Sequence, residues 1–282
     1  MKNILYTFLV FGLFFSCNDK KNDLTEANLN GKVKSVYTTS FEAIEKFGEI
    51  EKGDKRWQDS YESDNESIYN DNGYRIEQKY YDEDGELTNK WKGKYDDNEN
   101  LIESNGYDKY GELSYKWKSK YDDNGNQIEW NRYDKDGELS FKWKYEYDDN
   151  GNQIEWKYYD KDGELSYKWK YEYDDKGNRI ESNRYDKDGE LTNKWKGKYD
   201  DNGNLIEEKN YDEDGELTNK WKGKYDDKGN QIESNEYDED GELENKYIYE
   251  YKFDDKENWI QKIIFIDNKP TFIVEREIKY YD

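Results

Sequence analysis

The chain has 282 residues and a formal charge of −24, from 45 Lys and Arg against 69 Asp and Glu. Charged residues reach 40% and aromatics 18%, with Tyr 30 and Trp 10, a set too rich in rings for a disordered chain. The charge excludes nucleic acid and anionic membrane surfaces as partners, since both need clustered Lys and Arg; its plain meaning is a solvated acidic coat.

Met1, Lys2 and Asn3 make a short basic start, and ILYTFLVFGLFF is an apolar run of secretory length, short for a bilayer span. Residues 1–16 therefore read as an export signal. FFSC at its end resembles the lipobox of bacterial lipoproteins, although Phe14 and Phe15 depart from its commonest residues. The resemblance implies that Cys17, the only cysteine, is lipidated and anchors the chain to a membrane. The polar stretch 17–30 is then a tether. Its Asp19 and Asp23 resemble the early acidic residues that send some lipoproteins to the cell surface, so the expected place is the cell envelope, at the outer membrane.

Residues 31–80 form an expected N-terminal β cap, with a strand from Lys32 to Phe41, a longer loop, and strands near Trp57 to Tyr69. From 81 to 262 the chain repeats itself. Tyr81, Tyr107 and Tyr133 open the phrase Tyr-Asp-x-x-Gly-Glu-Leu, as do Tyr159, Tyr185, Tyr211 and Tyr237, at a spacing of 26. Such a period means stacked supersecondary units. Residues 263–282 form the C-terminal cap, the second half of an aliphatic hairpin in which WIQKIIFI and TFIVEREI flank DNKP.

Each unit carries two turn signals, DxDG (varied to DKYG at Asp108 to Gly111) and DDNGN or DDKGN. Asp-Gly and Asn-Gly favour tight hairpins with positive φ. Between them, Leu165, Tyr167, Trp169, Tyr171 and Tyr173 alternate with Ser166, Lys168, Lys170 and Glu172, a period of two that no helix has. On the return strand Ile154, Trp156 and Tyr158 are expected on one face. The fold class is all-β: an antiparallel hairpin array of about fourteen repeat strands plus caps, one face aromatic and the other charged. The single Pro in the chain, Pro270, suits continuous strands.

These units resemble the YD repeats of the RHS family, whose motif Tyr-Asp-x-x-Gly-x-Leu/Ile is matched by YDKDGEL at Tyr159 and YDDKGNRI at Tyr173. The period here is longer and more regular, no toxin-like segment follows, and Asn98 to Asn100 and Lys256 to Asn258 lose the turn glycine. The MORN repeat is a second resemblance. Gly31 to Gly53 looks like the opening of bacterial lipoproteins that carry such repeats and have no known activity.

Trp91, Trp117, Trp143, Trp169, Trp195 and Trp221 share one repeat position, with Tyr247 as seventh. Six indoles of roughly 200 Å² exceed the apolar patch a soluble monomer usually shows. The sheet is therefore expected to coil or roll until the aromatic face points inward. Its centre is richest: Tyr115, Phe141 and Tyr167 replace the Asn of outer units, and Tyr145 and Tyr171 replace their Gly. Trp130 and Trp156 replace Ser or Glu. With Trp117, Trp143 and Trp169 these form a candidate surface for sugar rings or another protein's aromatic anchors.

The chain has no His, which removes the usual zinc ligands and Ser-His or Cys-His nucleophiles. No carboxylate pair stands out for glycoside hydrolysis among so many repeated positions. DKDGE resembles part of an EF-hand loop, but Tyr158 and Trp169 occupy its first and twelfth positions, so no metal site is assigned and only weak divalent cation binding is expected. The reading is of a binding or interaction module without catalysis or cofactor, for polysaccharide or an envelope protein. Its alternatives are a purely structural spacer or shell and a toxin-associated or immunity-type partner.

Overall fold

A computed structural model describes residues 22–55 and 64–282. Cys17, the export signal and the segment around Trp57 lie outside the described residues. A short helix, α1 (Asp23–Glu26), precedes β1 (Val33–Lys46), β2 (Glu49–Lys55), β3 (Asn65–Tyr69) and β4 (Arg75–Tyr81). The repeat strands begin with β5 (Leu87–Tyr95), β6 (Leu101–Asp108), β7 (Leu113–Tyr121), β8 (Gln127–Asp134), β9 (Leu139–Tyr147) and β10 (Gln153–Tyr159). They continue as β11 (Leu165–Tyr173), β12 (Arg179–Asp186), β13 (Leu191–Tyr199), β14 (Leu205–Tyr211), β15 (Leu217–Tyr225) and β16 (Gln231–Tyr237). The last are β17 (Leu243–Phe253), β18 (Trp259–Ile266) and β19 (Lys269–Tyr280).

Every neighbouring pair is antiparallel, and the sheet expected to coil or roll goes further and closes on itself. β1 pairs with β19, Val36 opposite Ile278, and on its other edge with β3, Val36 opposite Ser67. That double pairing closes an 18-strand barrel, with β2 a hairpin extension of β1 where a longer loop is expected. Closure answers two demands together: it covers the aromatic face and removes the sheet edges.

The aromatic face is the inner one. Burial pushes the phenols of Tyr145 and Tyr171 and the carboxyl of Glu208 up from their ordinary values. Outside, Lys120 meets Glu129 at 2.8 Å and Lys198 meets Glu207 at 2.9 Å, each lysine side chain more than half exposed. Exposed pairs of this kind contribute about 0–1 kcal/mol each; their weight lies in solubility. Among the described residues no helix is long and apolar enough to cross a membrane.

Both turn types have one construction. In Asp148 to Asn152 the Gly151 N–H donates to the Asp148 carbonyl, the Asp148 N–H to the Asn152 carbonyl, and Gly151 has φ 82. This is a type I turn with a G1 bulge, one residue longer than a two-residue hairpin turn. Asp148 Oδ1 accepts from the backbone N–H groups of Asn150 and Asn152, and Asp160 Oδ1 likewise from Asp162 and Glu164. Those contacts already employ the carboxylate oxygen an EF-hand would give to calcium. Bulges also shift the return strands: Trp156 and Tyr158 face inward as expected, whereas Ile154 sits in a bulge between Gln153 and Glu155 and stays 37% exposed.

The two rims differ. At the Asp-x-x-Gly-Asn rim the turns touch, with Asn152 Oδ1 3.6 Å from the Cβ position of Gly177 and Asn178 Oδ1 equally near that of Gly203. At the Asp-x-x-Gly-Glu rim nothing lies within 4 Å of the same position on Gly137 or Gly163. Residues 22–32 strap the contiguous rim shut. At one end Asn22 Nδ2 donates to the Asn72 carbonyl (2.8 Å) and Leu24 N–H to that of Gly73 (3.2 Å). At the other, Asn258 Oδ1 accepts from the Asn30 N–H (2.6 Å), while its Nδ2 donates to the Asn30 carbonyl (2.9 Å). A small aliphatic core of Leu24, Leu29, Val33 and Val36 forms beneath the strap with Tyr69.

Candidate functional site

Glycine decides how each inner tryptophan lies. A Cβ on Gly197 or Gly223 would come within 2.3 or 2.2 Å of the indole of Trp195 or Trp221, so in the outer units the ring folds flat over the glycine two residues on. In the central units that position is Ser119, Tyr145 or Tyr171. Trp117, Trp143 and Trp169 cannot lie flat there, and their rings meet the next strand instead.

The result is a continuous aromatic platform on β7 to β11. Trp117 packs on Trp130 (ring centroids 4.3 Å apart) and is stacked on Trp143 (5.3 Å, 29°). Trp130 meets Trp143 edge-on (4.9 Å), and Trp143 meets Trp156 at 5.8 Å. Trp156 is stacked on Trp169 (6.5 Å, 14°) and touches Tyr167 at 5.6 Å. Phe141 joins through Trp117 and Trp143. Seven of the ten sequence-derived candidates thus form one surface. Tyr171 is attached below it, its hydroxyl accepting from Trp156 Nε1. Tyr145 stands opposite Trp156 in register, and burial raises both phenols. Tyr115 lies apart from the ring contacts, folded over Gly106, where a Cβ would meet it at 2.2 Å.

Three residues belong to this wall beyond the sequence-derived set. Tyr158 is stacked on Tyr167 (4.9 Å, 13°), and alternation had placed it on this face. The Arg132 guanidinium lies over Tyr115, Trp117 and Phe141, and that of Arg184 over Tyr167 at 4.5 Å. Desolvated cation–π contacts contribute about 2 kcal/mol, enough to hold arginines on a wall where no carboxylate pairs with them among the described residues. Among the described residues the strands pack chiefly on their ladder neighbours, and no second layer of secondary structure lies on the platform. A closed ring of this strand number leaves a channel, and the platform faces it half-buried.

Around the ring, β13 to β17 carry a different wall. Glu208 and Glu236 point inward: Glu208 stands where the other repeats have Ser or Trp, and Glu236 where they have Gly, Arg, Tyr or Asn. Glu208 accepts from Trp195 Nε1 (3.1 Å); Glu236 accepts from Asn245 Nδ2 (3.0 Å) and Tyr247 Oη–H (3.3 Å). Burial raises the Glu208 carboxyl and Glu236 adds to the rise, while the Trp195 hydrogen bond and Arg179 oppose it. Asn210 and Asn219 are hydrogen-bonded beside them at 2.8 Å. The channel therefore has an aromatic wall and an amide-and-carboxylate wall.

Neither a protein-family model nor a curated protein matches this chain. Among solved structures it is similar to a porin-like protein from Bacteroides uniformis, at 11% identity and a TM-score of 0.44, over 89% of this chain and 98% of that one. It is also similar to a chain of TcdB2-TccC3-TEV, at 14% identity and a TM-score of 0.36, over 73% of this chain and 11% of that one. A Tc holotoxin pore from Photorhabdus luminescens matches at 15% identity and a TM-score of 0.21, over 73% of this chain and 14% of the other. This chain thus spans a small fraction of the two TccC3-containing chains. At scores this low the architecture rests on the chain's own strand pairing.

Proposed function

We propose that the chain is a non-catalytic binding protein of the cell envelope, held to the outer membrane through lipidated Cys17, which takes up polysaccharide on the platform of β7 to β11. The observation that carries the reading is that platform: contiguous rings facing the channel, with no second layer upon them among the described residues. Sugar rings present apolar C–H faces to stacked aromatics and hydroxyls to polar neighbours, and both kinds of surface line this interior. The resemblance to YD repeats, some of which are linked to carbohydrate, supports the same choice over an envelope protein. A glycan array with the purified protein tests it. Changing Trp130 and Trp156 together to Ala is expected to abolish glycan binding with little change in melting. Retained binding overturns the reading, and lost stability with no glycan bound by either protein favours a structural shell.

A further inference from the structure

The polar wall carries an arrangement that the platform does not explain. Glu208, Trp221 and Glu236 stand directly opposite one another on β14, β15 and β16, so an indole lies between two carboxylates in one row. Two strand spacings separate the glutamates, about 9.6 Å across the sheet. Trp221 lies flat over Gly223, and among the described residues no ring or cation stacks on its other face. Neither glutamate has a lysine or arginine within ion-pair distance among the described residues. Each is nevertheless fixed by side-chain donors, Glu208 by Trp195 and Glu236 by Asn245 and Tyr247. A half-buried carboxylate without a lysine or arginine partner favours a bound cation, and these two stand in a chain whose net charge of −24 draws cations toward it.

We propose that Glu208, Trp221 and Glu236 form a subsite for an ammonium group, the protonated amine of a de-N-acetylated amino sugar. The indole face attracts the cation through its quadrupole, the carboxylates neutralise it, and Asn210 and Asn219 offer amides to neighbouring hydroxyls. Arg179 is the one basic group near Glu208, and it is already stacked over Tyr171 (5.1 Å) and Trp195 (4.9 Å). Among the described residues, these two are the glutamates that stand opposite an inward tryptophan in the repeat strands. The sugar half of the assignment rests on the glycan reading above, whereas the ammonium half rests on this row alone.

The test is calorimetric titration of the purified full-length chain with tetra-glucosamine and with tetra-N-acetylglucosamine. The glucosamine oligomer is expected to bind more tightly, and to weaken by at least about tenfold in Glu236→Gln and in Glu208→Gln. Both substitutions are isosteric, and Glu208→Gln removes a buried charge, so melting should hold; Trp221→Phe provides a milder third variant. Equal affinity for the two oligomers, or unchanged affinity in both Gln variants, overturns the proposal. Tight binding of tetra-lysine in place of the amino sugar overturns the sugar assignment. Failure of the platform reading is distinguishable, because it removes binding of the neutral oligomer through Trp130 and Trp156 and leaves the response to Glu236→Gln intact.

Discussion

Replacing Asn258 by Ala should destabilise the barrel far more than the same change at an equivalent Asn in the middle of the ring. In most units the turn Asn bonds within its own turn; Asn152 Nδ2, for instance, donates to Asp148 Oδ2 at 2.9 Å. Asn258 instead reaches across the closure, with three side-chain bonds to the Asn30 N–H, the Asn30 carbonyl and the Tyr280 hydroxyl at 2.6, 2.9 and 2.7 Å. Tyr280 takes the vacated role by donating to Asp254. At about 0.5–1.5 kcal/mol per hydrogen bond, Asn258→Ala costs roughly 2–4 kcal/mol and Asn152→Ala about 1 kcal/mol. Urea unfolding followed by tryptophan fluorescence measures both, and hydrogen exchange should show lost protection over residues 22–32 in the first variant only. Equal losses, or an unchanged strap, would refute the idea that this segment holds the ring closed.

Glu257, like Glu99, has φ 65 where the remaining turns of this type place Gly, so Glu257→Gly should stabilise by up to about 1 kcal/mol, less its exposed pair with Lys228. Glu99→Gly should gain nothing by the same assay, because Glu99 also accepts from Asn72 Nδ2 and Tyr74 Oη–H. The Tyr147 hydroxyl donates to the Gln127 carbonyl at the bulge (2.7 Å), and Tyr147→Phe should lower the unfolding free energy by about 1 kcal/mol. Asp122 and Asp200 titrate below the usual aspartate range, first through Asn126 and Asn204 and then through backbone N–H groups. Their contribution is present above the unfolded aspartate value and is lost as pH falls through the lower folded one, so unfolding at a series of acidic pH values should show stability falling there. Glu208 has the opposite sign. Burial raises its folded value, so stability falls as pH rises from the unfolded glutamate value through the folded one; Glu208→Gln should remove that slope although Arg179, Glu236, Tyr199 and Tyr225 stay in place.

Strand identity and facing were legible because both are local. Leu165 to Tyr173 alternates with a period of two, and in β11 the exposed Lys170 and Glu172 flank the buried Tyr171 while Tyr167 and Trp169 stand opposite Tyr158 and Trp156. Ring closure was not legible, because it rests on contacts such as Asn30 with Asn258 and Val36 with Ile278, far apart in the chain and belonging to no repeat. The platform was visible as an excess of rings in the central units. What sets it upright is the absence of glycine at positions 119, 145 and 171, a steric effect that appears only when the indole is placed over its own strand. Glu208 and Glu236 left a trace as departures from their repeat positions, but bulges decide which carboxylates turn inward, and local pattern does not count bulges.

Because a closed ring of hairpins must gain or lose whole antiparallel pairs, the bore of this molecule is quantised. One 26-residue unit contributes two strands and about 9.6 Å of circumference, or roughly 4 Å of diameter at the tilt usual in barrels. Duplication or deletion of a single unit would therefore change calibre in fixed steps while leaving the strap and both end elements untouched, so a gene that miscopies its own repeats resizes the channel without redesigning a single turn.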